Sequence, residues 1–503
     1  MNPGKTTKSM SNKPNVVLIF TDNQQASTLA CYGNSEVHTP NLDRLAGQGM
    51  RFDNAFCPNA FCSPCRASVL TGTLPSQHGV HSWIDDRNMP EWPAGWHALN
   101  GMQTLPGLLQ NDGYATALVG KYHLGEPTTP AQGFDHWVTL EDGHVRSFYR
   151  NRIFDNGRVY EQPGHSVDFF TDKAKEFMAE QVETDTPFFL FLPYPAPYGH
   201  WPATKETDEN RHTQRYAGCP MNSVPREALS KKAVDGFLMN NAESTADLDF
   251  SMLMRAPNDL PTLRNYYSQI SMVDDGVGEI MSSLEALGID DNTLLIFTTD
   301  HGLSVGQHGF WGHGGASFPS NLHRAAHSIP LIIRQTGLVP AAQTSNLMVS
   351  NMDLYATILD YTGVTVPKTN YALPSRNLMP VLRGDAPVDW GDDAVYSEQE
   401  ETRVVRTQKW ALFKRYDGPT NKGIGDELFD VENDPQETTN LSGLAGYENI
   451  EAQLNDMLTE FFRKHVRAEA DLWTGGAPIQ NSMRKSFWQD AWGEQWAPVY
   501  HYE

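Results

Sequence analysis

Val16 to Phe20, preceded by Asn15, is an unbroken run of β-branched and large apolar residues. Such a run predicts a strand buried on both faces of a parallel sheet. Ala115 to Val119, Phe188 to Leu192, Leu294 to Thr298 and Ile329 to Ile333 repeat the pattern. Helical spacing lies between them, at Leu42 to Gly47 and at Tyr266 to Leu287. Strands alternating with helices predict an α/β domain whose large sheet is mainly parallel and flanked by helices. Asp22 falls just past the carboxyl end of the first strand, where open α/β sheets bind ligands.

Residues 203 to about 260 break the pattern, being polar, weakly periodic and interrupted by Pro220, Pro225 and Pro257. They read as an insertion, either at the mouth of the site or as a solvated surface excursion. From about Val395 the periods shorten. Val404 to Arg406, Trp410 to Tyr416 and Glu427 to Pro435 read as short strands, and Tyr447 to Ala468 as a helix. The organisation expected is a catalytic domain over 14–390 and a smaller C-terminal α+β subdomain over 391–503. The tail from Trp473 to Glu503 is rich in aromatic residues and must pack on the main body or on a second copy, as in a homodimer.

Composition narrows the functions. With 61 acidic against 38 basic residues, the net charge of −23 argues against a nucleic-acid partner. A small anionic substrate is not excluded, because charge local to a pocket outweighs the distant surface. No apolar stretch approaches a membrane span, and Val16 to Phe20 is too short for a signal peptide's apolar region. The expected location is cytoplasmic, or periplasmic or secreted if an export signal was trimmed. Five cysteines spread along the chain make no disulfide framework. Cys57, Cys62 and Cys65 lie close together but lack the second Cys/His pair that a structural zinc site requires.

Cys62-Ser63-Pro64-Cys65-Arg66, followed by Thr71-Gly72, resembles the signature of formylglycine-dependent sulfatases, C-x-P-x-R and then threonine-glycine. Four further segments resemble motifs of that family, in its order. They are Pro14 to Asp22 with His38 to Leu45; Gly120-Lys121-Tyr122-His123-Leu124-Gly125; Thr299-Asp300-His301-Gly302; and Glu427 to Pro435 with Asn440-Leu441. The resemblance implies an alkaline-phosphatase-like fold and hydrolysis of a sulfate monoester carried by a small molecule or carbohydrate. It implies that a maturation enzyme oxidises Cys62 to formylglycine. One hydroxyl of the aldehyde hydrate attacks sulfur and the other collapses to the aldehyde, expelling sulfate.

The resemblance also implies residue roles. Asp22, Asn23, Asp300 and His301, with an oxygen of residue 62, hold one divalent metal. Calcium comes first, with manganese, magnesium or zinc as alternatives. Arg66 orients residue 62, Lys121 bridges it to the sulfate, and His123 takes a proton as sulfate leaves. His123 is expected to share a face with Lys121 in an extended segment. His200, in Tyr198-Gly199-His200-Trp201-Pro202, assists the leaving alcohol.

This chain departs from the family at four places. Asn23 stands where many relatives carry aspartate, and His301 where many carry asparagine. Cys65 replaces the usual serine, and His313 replaces a lysine. Histidine at 301 also occurs in relatives that cleave phosphonate monoesters and phosphodiesters, which makes that activity the alternative. A non-catalytic binder of sulfated ligands, with Cys62 left as a thiol, is the alternative of another class. His308, His323 and His327 crowd the stretch around His313 and are expected to be structural or pocket-lining.

Overall fold

The computed structural model describes residues 13–84, 86–200, 209–243, 251–366, 368–386, 390–391, 393–400, 402–415 and 424–474. Nearly all of the aromatic tail and parts of the 203–260 segment lie outside the described residues.

Ten strands form one sheet. Its centre is parallel and runs Thr293–Thr299, Asn15–Asp22, Phe188–Pro197, Ala115–Val119, His136–Leu140. The expected strands are therefore present and parallel at the core, with antiparallel additions at the flanks. The run ending at Ile333 supplies Ile332–Arg334, which pairs antiparallel with Thr293–Thr299. The chain between them stays at the carboxyl end of the sheet, where it builds the site. It therefore re-enters the sheet from the end it left.

Alternate residues of Asn15–Asp22 feed two cores. Val17 and Ile19 join the face covered by the helices Pro40–Gln48, Ser166–Thr184 and Leu260–Leu287. Val16, Leu18 and Phe20 join the face covered by Cys62–Thr71, Leu105–Asn111 and Leu354–Thr362. Each such side chain, fully buried, contributes about 1.5–3 kcal/mol. This two-sided burial explains why the strand carries no polar alternation.

A four-stranded antiparallel sheet follows, Val395–Gln399, Thr402–Arg406, Trp410–Arg415 and Glu427–Asp430. Helix Glu448–His465 lays Leu454, Leu458 and Phe462, four residues apart, onto Val405, Leu412 and Leu428. The small sheet is tied to the loop before Cys62: Glu398 N donates to Pro58 O at 2.9 Å and Ala60 N to Gln399 Oε1 at 3.2 Å.

The 203–260 segment holds more helix than its weak periodicity predicts, including Lys231–Glu243. Ala233 and Leu253 pack on Phe310 and Ala316, so the insertion borders the segment that carries His313. Among the described residues, no helix is long and apolar enough to cross a membrane.

Candidate active site

Strand register puts two carboxylates side by side. Thr21 pairs with Thr299, and Asp300 N donates to Thr21 O at 3.1 Å. Asp22 and Asp300 thus leave the sheet together at its carboxyl end, both with no solvent exposure. Asn23 follows in a left-handed conformation, φ 62°, its N–H donating to Asp300 Oδ1 at 3.1 Å and its carbonyl accepting from Tyr266 Oη at 2.5 Å.

Cys62 opens helix Cys62–Thr71, every residue of which is buried. Pro64 is tolerated there because the first turn has no intrahelical use for its missing N–H. The signature's glycine has a mechanical purpose: Gly72, at φ 68°, closes the helix by donating to Ser68 O at 2.8 Å. A Cβ on it would lie 2.5 Å from the Tyr355 ring. Residue 62 stands at the other end, the N-terminus of the helix, a setting that favours anions.

Around the Cys62 sulfur lie His301 Nε2 at 3.4 Å, Asp22 Oδ1 at 3.7 Å and Lys121 Nζ at 3.7 Å. Arg66, one turn along the helix, reaches Asp300 Oδ2 at 2.9 Å and Asp22 Oδ2 at 3.4 Å, and donates to Lys121 O at 2.6 Å. Lys121 Nζ meets Asp22 Oδ2 at 2.6 Å. Gly120, at φ 141°, lets this segment lie against Pro193, whose oxygen would be 2.0 Å from any Cβ.

His123 reaches the site by a different route from the one its spacing predicts. Residues 121–123 are not a strand, and His123 has φ 60°, so an i, i+2 face does not exist. Its ring instead packs edge-on against His144 at 4.8 Å, and His144 Nε2 lies 3.5 Å from Lys121 Nζ. His123 Nε2 donates to Ile84 O at 2.9 Å, which leaves Nδ1 as a buried acceptor without a partner among the described residues.

His200 Nδ1 accepts from Asn23 Nδ2 at 3.2 Å, so in the neutral ring Nε2 carries the proton. His313 lies beside it, 4.5 Å between ring centroids and 5.1 Å from His301. All ten residues singled out from the sequence thus converge. The other three histidines are used structurally. His308 and His323 stack at 3.9 Å, His323 meets Glu437 at 3.3 Å, and His327 Nδ1 donates to Cys57 O at 3.1 Å. The five cysteines are free, and Cys65 donates to Asp300 O at 2.6 Å.

Two residues to which the sequence assigns no role complete the wall. His144 sits in a loop without periodicity, and Tyr198 places its ring 5.1 Å from Lys121 Nζ. Beyond them Arg146, the more exposed partner, pairs with Asp86.

The electrostatics are those of a cation site. Burial, then the Asp300 carboxylate, push the Asp22 carboxyl up, and Lys121, Arg66 and His301 pull it back. Burial pushes the Cys62 thiol well above its ordinary range despite Lys121, so an unmodified Cys62 would stay neutral and poorly nucleophilic. Burial, then Lys121 and Arg66, hold His123 neutral.

The donors fit a divalent metal. Ligand atoms of Asp22, Cys62, Asp300 and His301 all lie within 4.8 Å of one another. Asn23 Oδ1 is buried without a hydrogen-bond partner among the described residues. His301 Nδ1 donates to Gly302 O at 2.8 Å, leaving the Nε2 lone pair facing the cluster.

Comparison with known proteins agrees. The Sulfatase family model matches residues 14–364. The model described as N-sulphoglucosamine sulphohydrolase, C-terminal, matches residues 318–464. An N-acetylglucosamine-6-O-sulfatase of Bacteroides thetaiotaomicron is 28% identical over 525 residues, covering 92% of this chain and 89% of the relative. A protein solved in complex with its substrate D-glucosamine-2-N,6-O-disulfate superposes with a TM-score of 0.72 at 26% identity, covering 90% of this chain and 98% of the other. The phosphonate monoester hydrolase of Agrobacterium radiobacter shares the fold, with a TM-score of 0.68 at 21% identity, covering 91% and 97%. Matched over residues 14–364, well over half its length, the chain belongs to the sulfatase family.

Proposed function

We propose that the protein hydrolyses a sulfate monoester carried on a sugar, releasing alcohol and inorganic sulfate. Residue 62 acts in its formylglycine form. One divalent cation, calcium first, is held by Asp22, Asn23, Asp300 and His301. The observation that carries this reading is the position of Cys62, at the start of a buried helix and facing Asp22, His301 and Lys121 together.

The aldehyde hydrate made from Cys62 would supply the nucleophile, and the cation would supply charge neutralisation to the sulfate. This chain's own residues do the rest. Arg66, fixed by two carboxylates, holds residue 62 and its positive field in place. Lys121 offers an N–H toward residue 62 and a sulfate oxygen beside it. His123, held neutral, offers Nδ1 as a proton acceptor. Burial, then His301 and Lys121, hold His200 at about 3, so at neutral pH it donates through its Nε2–H to the leaving oxygen. His313 accepts from Gly315 N at 3.2 Å through Nδ1, which places its ring hydrogen on Nε2. Cys62 is only 4% exposed, so the maturation enzyme must meet this segment before it folds.

The amino-sugar 6-sulfates in the relatives' names set the first substrate class to assay. Matured protein is tested with glucosamine 6-sulfate, an aryl sulfate and an aryl phosphonate monoester under one metal condition. Higher kcat/KM on the sulfates supports the reading. A preference for the phosphonate would replace it with the phosphonate hydrolase alternative, and binding without turnover would favour the binder.

A further inference from the structure

We infer that His144 is a positioning residue that sets the rotation of the Lys121 ammonium and so aims one of its hydrogens at residue 62. The inference rests on the hydrolase reading above and adds a residue that none of the motifs contains.

Lys121 is fully buried, and its nitrogen has three hydrogens and no acceptor capacity. Three acceptors surround it: Asp22 Oδ2 at 2.6 Å, His144 Nε2 at 3.5 Å and the Cys62 sulfur at 3.7 Å. The Tyr198 ring closes another side at 5.1 Å. With Asp22 alone the ammonium could turn about its carbon–nitrogen bond. A second acceptor removes that freedom, and the third hydrogen then points at residue 62.

His144 is built to be that acceptor. Its Nδ1 faces Val145 O at 3.3 Å. A carbonyl can only accept, so Nδ1 carries the proton and Nε2 the lone pair. The same Nε2 lies 3.4 Å from the Tyr198 hydroxyl. Edge-on contacts with His123 at 4.8 Å and Tyr198 at 5.4 Å keep the ring from swinging away. Burial, then Lys121 and His123, push its pKa well below the ordinary histidine range, which preserves the neutral acceptor. A protonated ring here would repel Lys121 instead of holding it.

The test compares full-length, metal-loaded protein with His144→Phe and His144→Gln, each alone and combined with Lys121→Ala. Formylglycine content is measured by peptide mass spectrometry, so that incomplete maturation is corrected for. His144→Phe keeps a ring but has no acceptor, and kcat should fall on the order of a hundredfold. His144→Gln, which keeps an acceptor oxygen, should recover most of that loss. In the Lys121→Ala background, His144→Phe should cost little more, because the two act as one unit. Calorimetric titration with inorganic sulfate should show the same non-additivity without any turnover. Equal losses with Phe and Gln, or a full loss from His144→Phe in the Lys121→Ala background, would overturn the inference. If matured unsubstituted protein releases no sulfate at all, the hydrolase reading fails first and takes the inference with it.

Discussion

The Nε2 atom of His301 lies 3.4 Å from the sulfur of Cys62, while the opposite ring nitrogen is tied to Gly302 O at 2.8 Å. The backbone therefore sets the tautomer and aims a lone pair into a pocket that also holds Asp22 and Asp300. Without a cation, two buried carboxylates repel each other there. Chelation should abolish sulfate release and lower the melting temperature together, and re-added ion should restore both. At ion concentrations about a hundredfold above Kd, binding should contribute about 2.7 kcal/mol to stability. His301→Ala should weaken the ion's protection in the same melting assay. A melting temperature indifferent to chelation would remove the metal from the account.

Arg66 has no solvent exposure and answers both carboxylates. Replacing it by alanine leaves uncompensated buried charge, which costs about 3–5 kcal/mol. Arg66→Lys should recover only part of this, because a point charge cannot fork between Asp22, Asp300 and Lys121 O. Urea unfolding measures both. A loss under about 1 kcal/mol would match a surface pair and not this one.

His123→Ala should lower kcat by about 10²–10⁴, because Nδ1 is a buried proton acceptor without a partner among the described residues, and the lost Nε2 hydrogen bond to Ile84 O should lower the melting temperature as well. If His123 accepts its proton as sulfate departs, alcohol should appear in a burst and sulfate slowly behind it. Rapid-quench kinetics separate the two products. Equal slowing of both would move His123 to the first step.

Acid should destabilise the protein in two stages. Burial, then Arg406, hold His327 at about 3 against 6.5 for the free side chain. Below about 6.5 the unfolded chain binds a proton that the folded one refuses, so stability falls as pH drops through that window. Glu427 acts lower. Burial alone would raise its pKa, but Arg415 and Lys232 outweigh burial and hold it at about 2 against 4.5. Its stabilisation is complete above about 4.5 and is lost as pH falls toward 2. Urea midpoints followed downward in pH should begin to fall below about 6.5. His327→Gln should flatten the upper stage and Glu427→Gln the lower.

What the chain discloses in one dimension follows from what its physics makes local. Asp22 and Asp300 are legible because each ends a doubly buried strand whose apolar run marks where the sheet stops. Cys62 and Arg66 are legible through their resemblance to a contiguous family signature, whose two ends one helical turn keeps together. His144 is not, and the role of Tyr198 is not, because what brings both to Lys121 is the closure of segments from different parts of the chain around one ammonium. His123 lies between these cases. Its motif identifies it, but the extended geometry expected of it fails at a positive φ that no spacing announces. Helix Lys231–Glu243 shows no clear period because it meets the site segment through the small residues Ala233 and Gly236 while Leu238 faces solvent.

The most direct test of the central claim is mass spectrometry of the tryptic peptide Phe52 to Arg66, from protein made in its native host, reduced and alkylated. An aldehyde is expected at position 62, with Cys57 and Cys65 alkylated. Three alkylated cysteines, in protein that still releases sulfate, would contradict that claim.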